Sequence, residues 1–206
     1  MLNIFARASV SRALRPLGAG LARTGVSPDA VTLAGTVGAV GAAVALLARG
    51  EMLLGTLVIT VFVLFDLLDG AIARARGTTS RFGAVLDSTC DRIADAAVFG
   101  ALAWWYAGAG QSRSLLLAAL LCLALGAVTS YIKARAEGAG MTCNVGIAER
   151  AERLIVILAG TGLDGLGVPY VLAGALWLLV AATAITVVQR MVEVRRQAAL
   201  LDSAAR

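Results

Sequence analysis

Apolar residues run through this chain in long blocks, broken by short polar stretches. Six such runs fall near residues 31–48, 52–73, 83–106, 114–134, 151–168 and 170–189. Each approaches the roughly 20 residues that a helix needs to cross a hydrocarbon core about 30 Å thick. The runs lack the period-2 alternation of a membrane barrel, and backbone in lipid must satisfy its own hydrogen bonds, so helices are the expected form. The pattern predicts an all-α, polytopic membrane protein with six transmembrane helices. The fifth run is the weakest: Gly160, Gly162, Gly165 and Gly167 dilute it, and Asp164 is expected to mark its exit into a short loop.

Upstream of the first run, Val10, Leu14, Leu17 and Leu21 share one helical face, while Arg7, Ser11 and Arg15 share another. That arrangement predicts an amphipathic helix lying in the membrane interface. Its arginines interrupt the apolar core that a cleaved signal peptide needs. Ser27 then reads as an N-cap with Pro28 at the first helical position. The expected organisation is a single membrane domain over residues 1–206. It comprises an interfacial helix (1–25), a six-helix core (26–190) and a cytoplasmic tail (191–206).

Composition supports this reading. Of 206 residues, 59% are hydrophobic and 15% charged, and the mean hydropathy is +0.85, too apolar for a soluble domain of this size. Histidine is absent, which excludes a His general base and His-ligated metal. Cys90, Cys122 and Cys143 have no ligand spacing and read as packing residues. The net charge of +5 fits loop asymmetry and anionic headgroups, with no nucleic-acid partner expected. With six crossings, sixteen of the eighteen cationic residues fall on one side, leaving Arg49 and Arg113 for the other. By the positive-inside rule both termini are cytoplasmic.

Candidate chemistry lies in the second and third runs. Asp66 and Asp69 are spaced i,i+3, and Asp87 and Asp91 i,i+4, so each pair shares a helix face across a short turn. Four carboxylates at the end of an apolar run are costly without neutralisation. Oxygen-only ligands favour Mg²⁺ or Mn²⁺, and two such ions beside a phosphate activate a nucleophile and stabilise a leaving oxygen. Gly70 and Gly83 remove side chains beside the acids and open room for a diphosphate, with Arg74 available to phosphate oxygens. Salt bridges to Arg74, Arg81 and Arg92 are the bland alternative, and an ion pathway through the membrane is the rival from another class. Asp95 continues the Gly83–Asp87–Asp91 stripe and reads as a partner of Arg92 or another arginine.

The run Asp66-x2-Asp69-Gly70-x2-Ala73-Arg74-x8-Gly83-x3-Asp87-x3-Asp91 resembles, at every fixed position, the signature of the CDP-alcohol phosphotransferase family. The resemblance implies two Mg²⁺ per subunit, with Mn²⁺ as substitute. Asp66, Asp69 and Asp87 would hold one ion, Asp66, Asp87 and Asp91 the other, and Asp91 would act as general base. It further implies CDP-diacylglycerol binding through Asp29, Ala30, Val31, Thr32, Gly70, Arg74 and Ser80. Relatives often carry Asn at the position of Asp29, so the expected contacts of that segment are through its backbone. A homodimer in the cell membrane, with the active site on the cytoplasmic side, is expected mainly from the same resemblance.

The acceptor is what varies within such a family. Ser130-Tyr131-Ile132-Lys133-Ala134-Arg135-Ala136-Glu137 and Glu149-Arg150-Ala151-Glu152-Arg153 resemble segments of actinobacterial phosphatidylinositol phosphate synthases, with Ala151 standing where relatives often have Pro. The resemblance makes Lys133, Arg135, Arg153 and Arg195 the acceptor-phosphate candidates. The implied acceptor is an inositol phosphate (1D-myo-inositol 3-phosphate, equivalently L-myo-inositol 1-phosphate). The cation-rich set equally suits glycerol 3-phosphate, which would give phosphatidylglycerophosphate synthesis, or a collar for lipid headgroups.

Overall fold

The computed structural model describes residues 27–76 and 80–204, the side chains of 65–76 and 204 excepted. The proposed interfacial helix therefore lies outside the described residues. Six α-helices follow in order: α1 Pro28–Ala45, α2 Met52–Arg76, α3 Arg81–Ala107, α4 Arg113–Gly138, α5 Arg150–Gly165 and α6 Val171–Ala204, with a 3₁₀ turn at Leu47–Arg49. No strand occurs among the described residues. The all-α expectation holds.

The chain divides into two compact units, Met1–Ala101 and Leu102–Arg206. In the first, α1 begins where the sequence predicts: the Ser27 hydroxyl accepts a hydrogen bond from the Ala30 amide at 3.2 Å, and Pro28 occupies the first turn. Gly35, Ala39, Ala42 and Ala43 are buried along α1, and small residues there let α2 approach closely. At Gly38 the approach leaves no room at all, because a Cβ would overlap the Phe62 ring of α2. Leu47 and Ile59 are fully buried in the same unit.

In the second unit, α4 and α5 both pack on α6. Ala118, Ala119 and Cys122 of α4, Ile157 and Thr161 of α5, and Leu172, Leu176 and Thr183 of α6 lie buried. The Cys122 thiol donates to the Leu176 carbonyl at 3.4 Å, consistent with a packing role for this cysteine. All three cysteines are buried and unbridged.

Large apolar side chains point outward in both units, among them Val37, Leu57, Trp104, Ile155, Leu178 and Val188. Water would penalise that surface and hydrocarbon would not. Among the described residues, three helical stretches are long and apolar enough to cross a membrane, Pro28–Arg49, Arg113–Gly138 and Val171–Ser203, and Met52–Leu64 is a shorter apolar helix. The fifth run yields a helix of only 16 residues, Arg150–Gly165, ending beside Asp164, where the sequence predicts its exit. By contrast α6 has 34 residues, and its last turns outrun the apolar segment with Arg190, Glu193, Arg195, Arg196 and Gln197.

Candidate active site

Helix α3 carries the described half of the acidic cluster. Ser80 opens it, its hydroxyl accepting from the Gly83 amide at 2.8 Å. Asp87 is exposed, and Asp91, one turn on, is half-buried. The Arg92 guanidinium lies 3.4 Å from Asp95 and 4.0 Å from Asp91. Asp95 thus pairs with Arg92, as its position on the stripe suggests. Asp66 and Asp69 lie three residues apart in the last turns of α2, and their side chains, with Gly70 and Arg74, lie outside the description.

The start of α1 comes up against the start of α3. A Cβ on Gly83 would stand 3.0 Å from the Ser80 hydroxyl and 3.4 Å from Asp29 Oδ1. Two residues expected to hold the CDP-lipid, Asp29 and Ser80, are therefore brought to one place, with glycine leaving space between them. Val31 and Thr32 of the same segment face inward, and the Thr32 hydroxyl bonds back to the Pro28 carbonyl at 3.2 Å. Their side chains shape the helix start, so a ligand there meets mainly backbone and Asp29. The oxygen-only carboxylates of α3 suit a hard divalent cation, which would supply charge neutralisation and leaving-group stabilisation.

The second unit gathers cations where the ends of α4, α5 and α6 meet. Arg153, 3% exposed, donates to the Thr129 hydroxyl at 3.4 Å and to the Ala148 carbonyl at 3.2 Å. Arg190, 5% exposed, donates to the carbonyl of the same Thr129 and to that of Val145 at 3.0 Å, and lies 3.8 Å from Glu149. Lys133 is half-buried and 3.9 Å from Glu137. Arg135 and Arg195 are exposed.

Of the four acceptor candidates, Arg153 stands in a buried two-arginine cluster with Arg190, and Lys133, Arg135 and Arg195 lie outside that cluster. Five residues advance a helix by about 140° beyond a full turn, which points Arg195 away from the face that carries Arg190. The signal available in sequence was an arginine at the end of a stripe of small and apolar residues, Thr183–Thr186–Arg190, facing inward.

The described residues thus give two carboxylates one turn apart near the start of α3, a glycine-cleared space between Ser80 and Asp29, and, in the second unit, two buried arginines, all features that suit a membrane protein handling phosphate esters. The comparisons make this specific. Residues 25–188 match the model of the CDP-alcohol phosphatidyltransferase family, and the chain belongs to that family. It is 49% identical over 211 residues to a phosphatidylinositol phosphate synthase of Streptomyces avermitilis, covering 99% of this chain and 86% of that one. To the phosphatidylinositol phosphate synthase of Mycobacteroides abscessus it is 46% identical, covering 98% and 92%. The crystal structure of the Mycobacterium tuberculosis phosphatidylinositol phosphate synthase with CDP-DAG bound is similar, with a TM-score of 0.85 and 48% identity over 89% of this chain and 94% of that one. A second structure of that protein, with manganese and citrate, gives a TM-score of 0.84 and 48% identity over 88% of each chain. The chain is thus an enzyme of the CDP-alcohol phosphotransferase type, and the ion-pathway alternative falls.

Proposed function

We propose that this enzyme transfers the phosphatidyl group of CDP-diacylglycerol to an inositol phosphate, releasing CMP and forming phosphatidylinositol phosphate. In this reading Asp91 takes the proton of the acceptor hydroxyl. The oxygen attacks the lipid-linked phosphorus, the new O–P bond forms, and the bond to CMP breaks. Asp66, Asp69, Asp87 and Asp91 are assigned two Mg²⁺ per subunit, replaceable by Mn²⁺. Asp29, Ala30, Val31, Thr32, Gly70, Arg74 and Ser80 are assigned to the CDP-lipid. The acceptor phosphate is assigned to Lys133, Arg135, Arg153 and Arg195, with Arg190 added as the cation that shares Thr129 with Arg153.

The observation that carries the acceptor is the pair of buried guanidiniums on Thr129. Burying two arginines in an apolar bundle is expensive, and a phosphorylated acceptor gives that expense a use where a neutral alcohol does not. The names of the similar enzymes then favour inositol phosphate over glycerol 3-phosphate. Six membrane crossings, an interfacial N-terminal helix, cytoplasmic termini and active site, and a homodimer complete the proposal.

The deciding experiment measures CMP release from CDP-diacylglycerol by the reconstituted chain, with inositol 1-phosphate, free inositol, glycerol 3-phosphate and serine offered separately. Inositol 1-phosphate should support turnover, chelation of divalent cations should abolish it, and Asp91→Asn should lower kcat by at least the roughly 10²–10⁴-fold typical of a general base. Turnover with glycerol 3-phosphate and none with inositol 1-phosphate would sink the acceptor assignment.

A further inference from the structure

The segment between α4 and α5 has no regular structure from Met141 to Glu149, so its backbone groups need partners from elsewhere. One face of α6 supplies them. Thr186, Arg190, Glu193 and Gln197 recur at intervals of four, three and four, a single helical stripe. The Thr186 hydroxyl accepts from the Ala148 amide at 3.0 Å, and Arg190 donates to Val145. At the far end, Gln197 Oε1 accepts from the Thr142 amide at 2.9 Å while its Nε2 donates to the Thr142 carbonyl at 2.7 Å. A side-chain amide, with its donor and acceptor on separate atoms, suits both backbone groups of one residue. The second Nε2 proton goes to Glu193 at 2.6 Å, and Glu193 is itself gripped by Arg196 at 3.0 and 3.1 Å.

Between these anchors the segment passes over both buried arginines, since Val145 and Ala148 offer their carbonyls to Arg190 and Arg153. We propose that Gln197 is a positioning residue for acceptor binding: by fastening Thr142 to α6, it keeps the Met141–Glu149 segment, and through it Arg153 and Arg190, in place for the acceptor's phosphate. This rests on the assignment of those two arginines to the acceptor. Gln197 bonds to the segment and to Glu193, so its effect passes through Thr142. Cys143, next to Thr142, is fully buried and reports on the fastening.

The test compares wild type, Gln197→Ala and Gln197→Glu in proteoliposomes, with Cys143→Ser as labelling control. Losing the two hydrogen bonds to the Thr142 backbone should raise the acceptor KM about five- to thirtyfold. The kcat and the KM for CDP-diacylglycerol should stay within about twofold of wild type. Maleimide labelling of Cys143 should accelerate about tenfold or more as the segment opens, and saturating inositol 1-phosphate should slow it again. Gln197→Glu, which keeps the length and loses the donor, should follow Gln197→Ala. An unchanged acceptor KM overturns the proposal, as does a raised KM without faster Cys143 labelling. If inositol 1-phosphate is inert with wild type and glycerol 3-phosphate is not, the acceptor reading fails separately, and the KM series run with glycerol 3-phosphate still decides the role of Gln197.

Discussion

Gly146→Ala probes the same segment from its centre. Gly146 has a φ of 141°, a conformation that side-chain-bearing residues rarely adopt, and an added Cβ would stand 2.5 Å from Thr186 Cγ2. Two separate costs follow. Backbone strain is of order 1–3 kcal/mol, and overpacking against the Thr186 methyl adds about 1–3 kcal/mol. Their sum, about 2–6 kcal/mol, is a large part of the 5–15 kcal/mol that stabilises a typical domain. Thr186→Ser separates the two, because it removes the methyl and keeps the hydroxyl that accepts from Ala148. Thr186→Ser alone should cost only about 0.8 kcal/mol, one methyl's worth of burial. In the double variant the steric share, about 1–3 kcal/mol, should return while the strain remains. Unfolding midpoints of the four proteins in one detergent give the cycle. A Gly146→Ala protein that melts with wild type refutes the strain argument, and a double variant with no recovery refutes the steric one.

Three further outcomes follow from the fold. Gly38→Ala should destabilise the first unit by about 1–3 kcal/mol through the clash with Phe62, read as a lowered melting temperature. Ser27→Ala removes the cap of α1 and should cost about 1 kcal/mol, with Ser27→Asn near wild type in the same melt. Glu193, beyond the apolar part of α6, is held below the ordinary glutamate range by its hydrogen bond to Arg196 first and to Gln197 second. A carboxylate with a depressed folded value contributes fully above its unfolded value and loses that contribution as pH falls through the folded one. Protection of the Thr142 amide against hydrogen exchange should accordingly decline only below the ordinary glutamate range, and a decline beginning near neutrality would contradict the assignment.

Much of this was legible in the sequence because it depends on local rules. Ser27-Pro28 specifies a helix start by chemistry confined to four residues, and the structure has it. Asp95 and Arg92 meet because three residues separate them on one helix. The burial of Arg190 has the opposite origin. Spacing puts Arg190, Arg195 and Arg196 at one helix end, but which of them turns inward depends on the phase of α6 against α4 and α5. That phase is fixed by buried Leu172, Leu176, Leu179, Thr183 and Thr186, more than a full turn away from the arginines at its start. Read onward at intervals of three and four, those positions lead to Arg190 and pass over Arg195.

The stripe on α6 addresses backbone atoms: the Thr142 amide and carbonyl, the Val145 carbonyl and the Ala148 amide. Recognition of that kind constrains the path of the segment and leaves its outward side chains free. Asn144 and Ile147 are both exposed, Ile147 by 55%. Replacing either by Ala should therefore leave the acceptor KM within about twofold of wild type, as expected for surface positions away from packing and caps. Gly146→Ala, which touches no acceptor group but displaces the backbone against Thr186, should raise it. The contrast is informative because the three positions lie within four residues of one another, so a general loosening of the segment would affect them alike. If Asn144→Ala raises the acceptor KM as much as Gly146→Ala does, the segment contacts the acceptor through its side chains, and its role is not the positioning of Arg153 and Arg190.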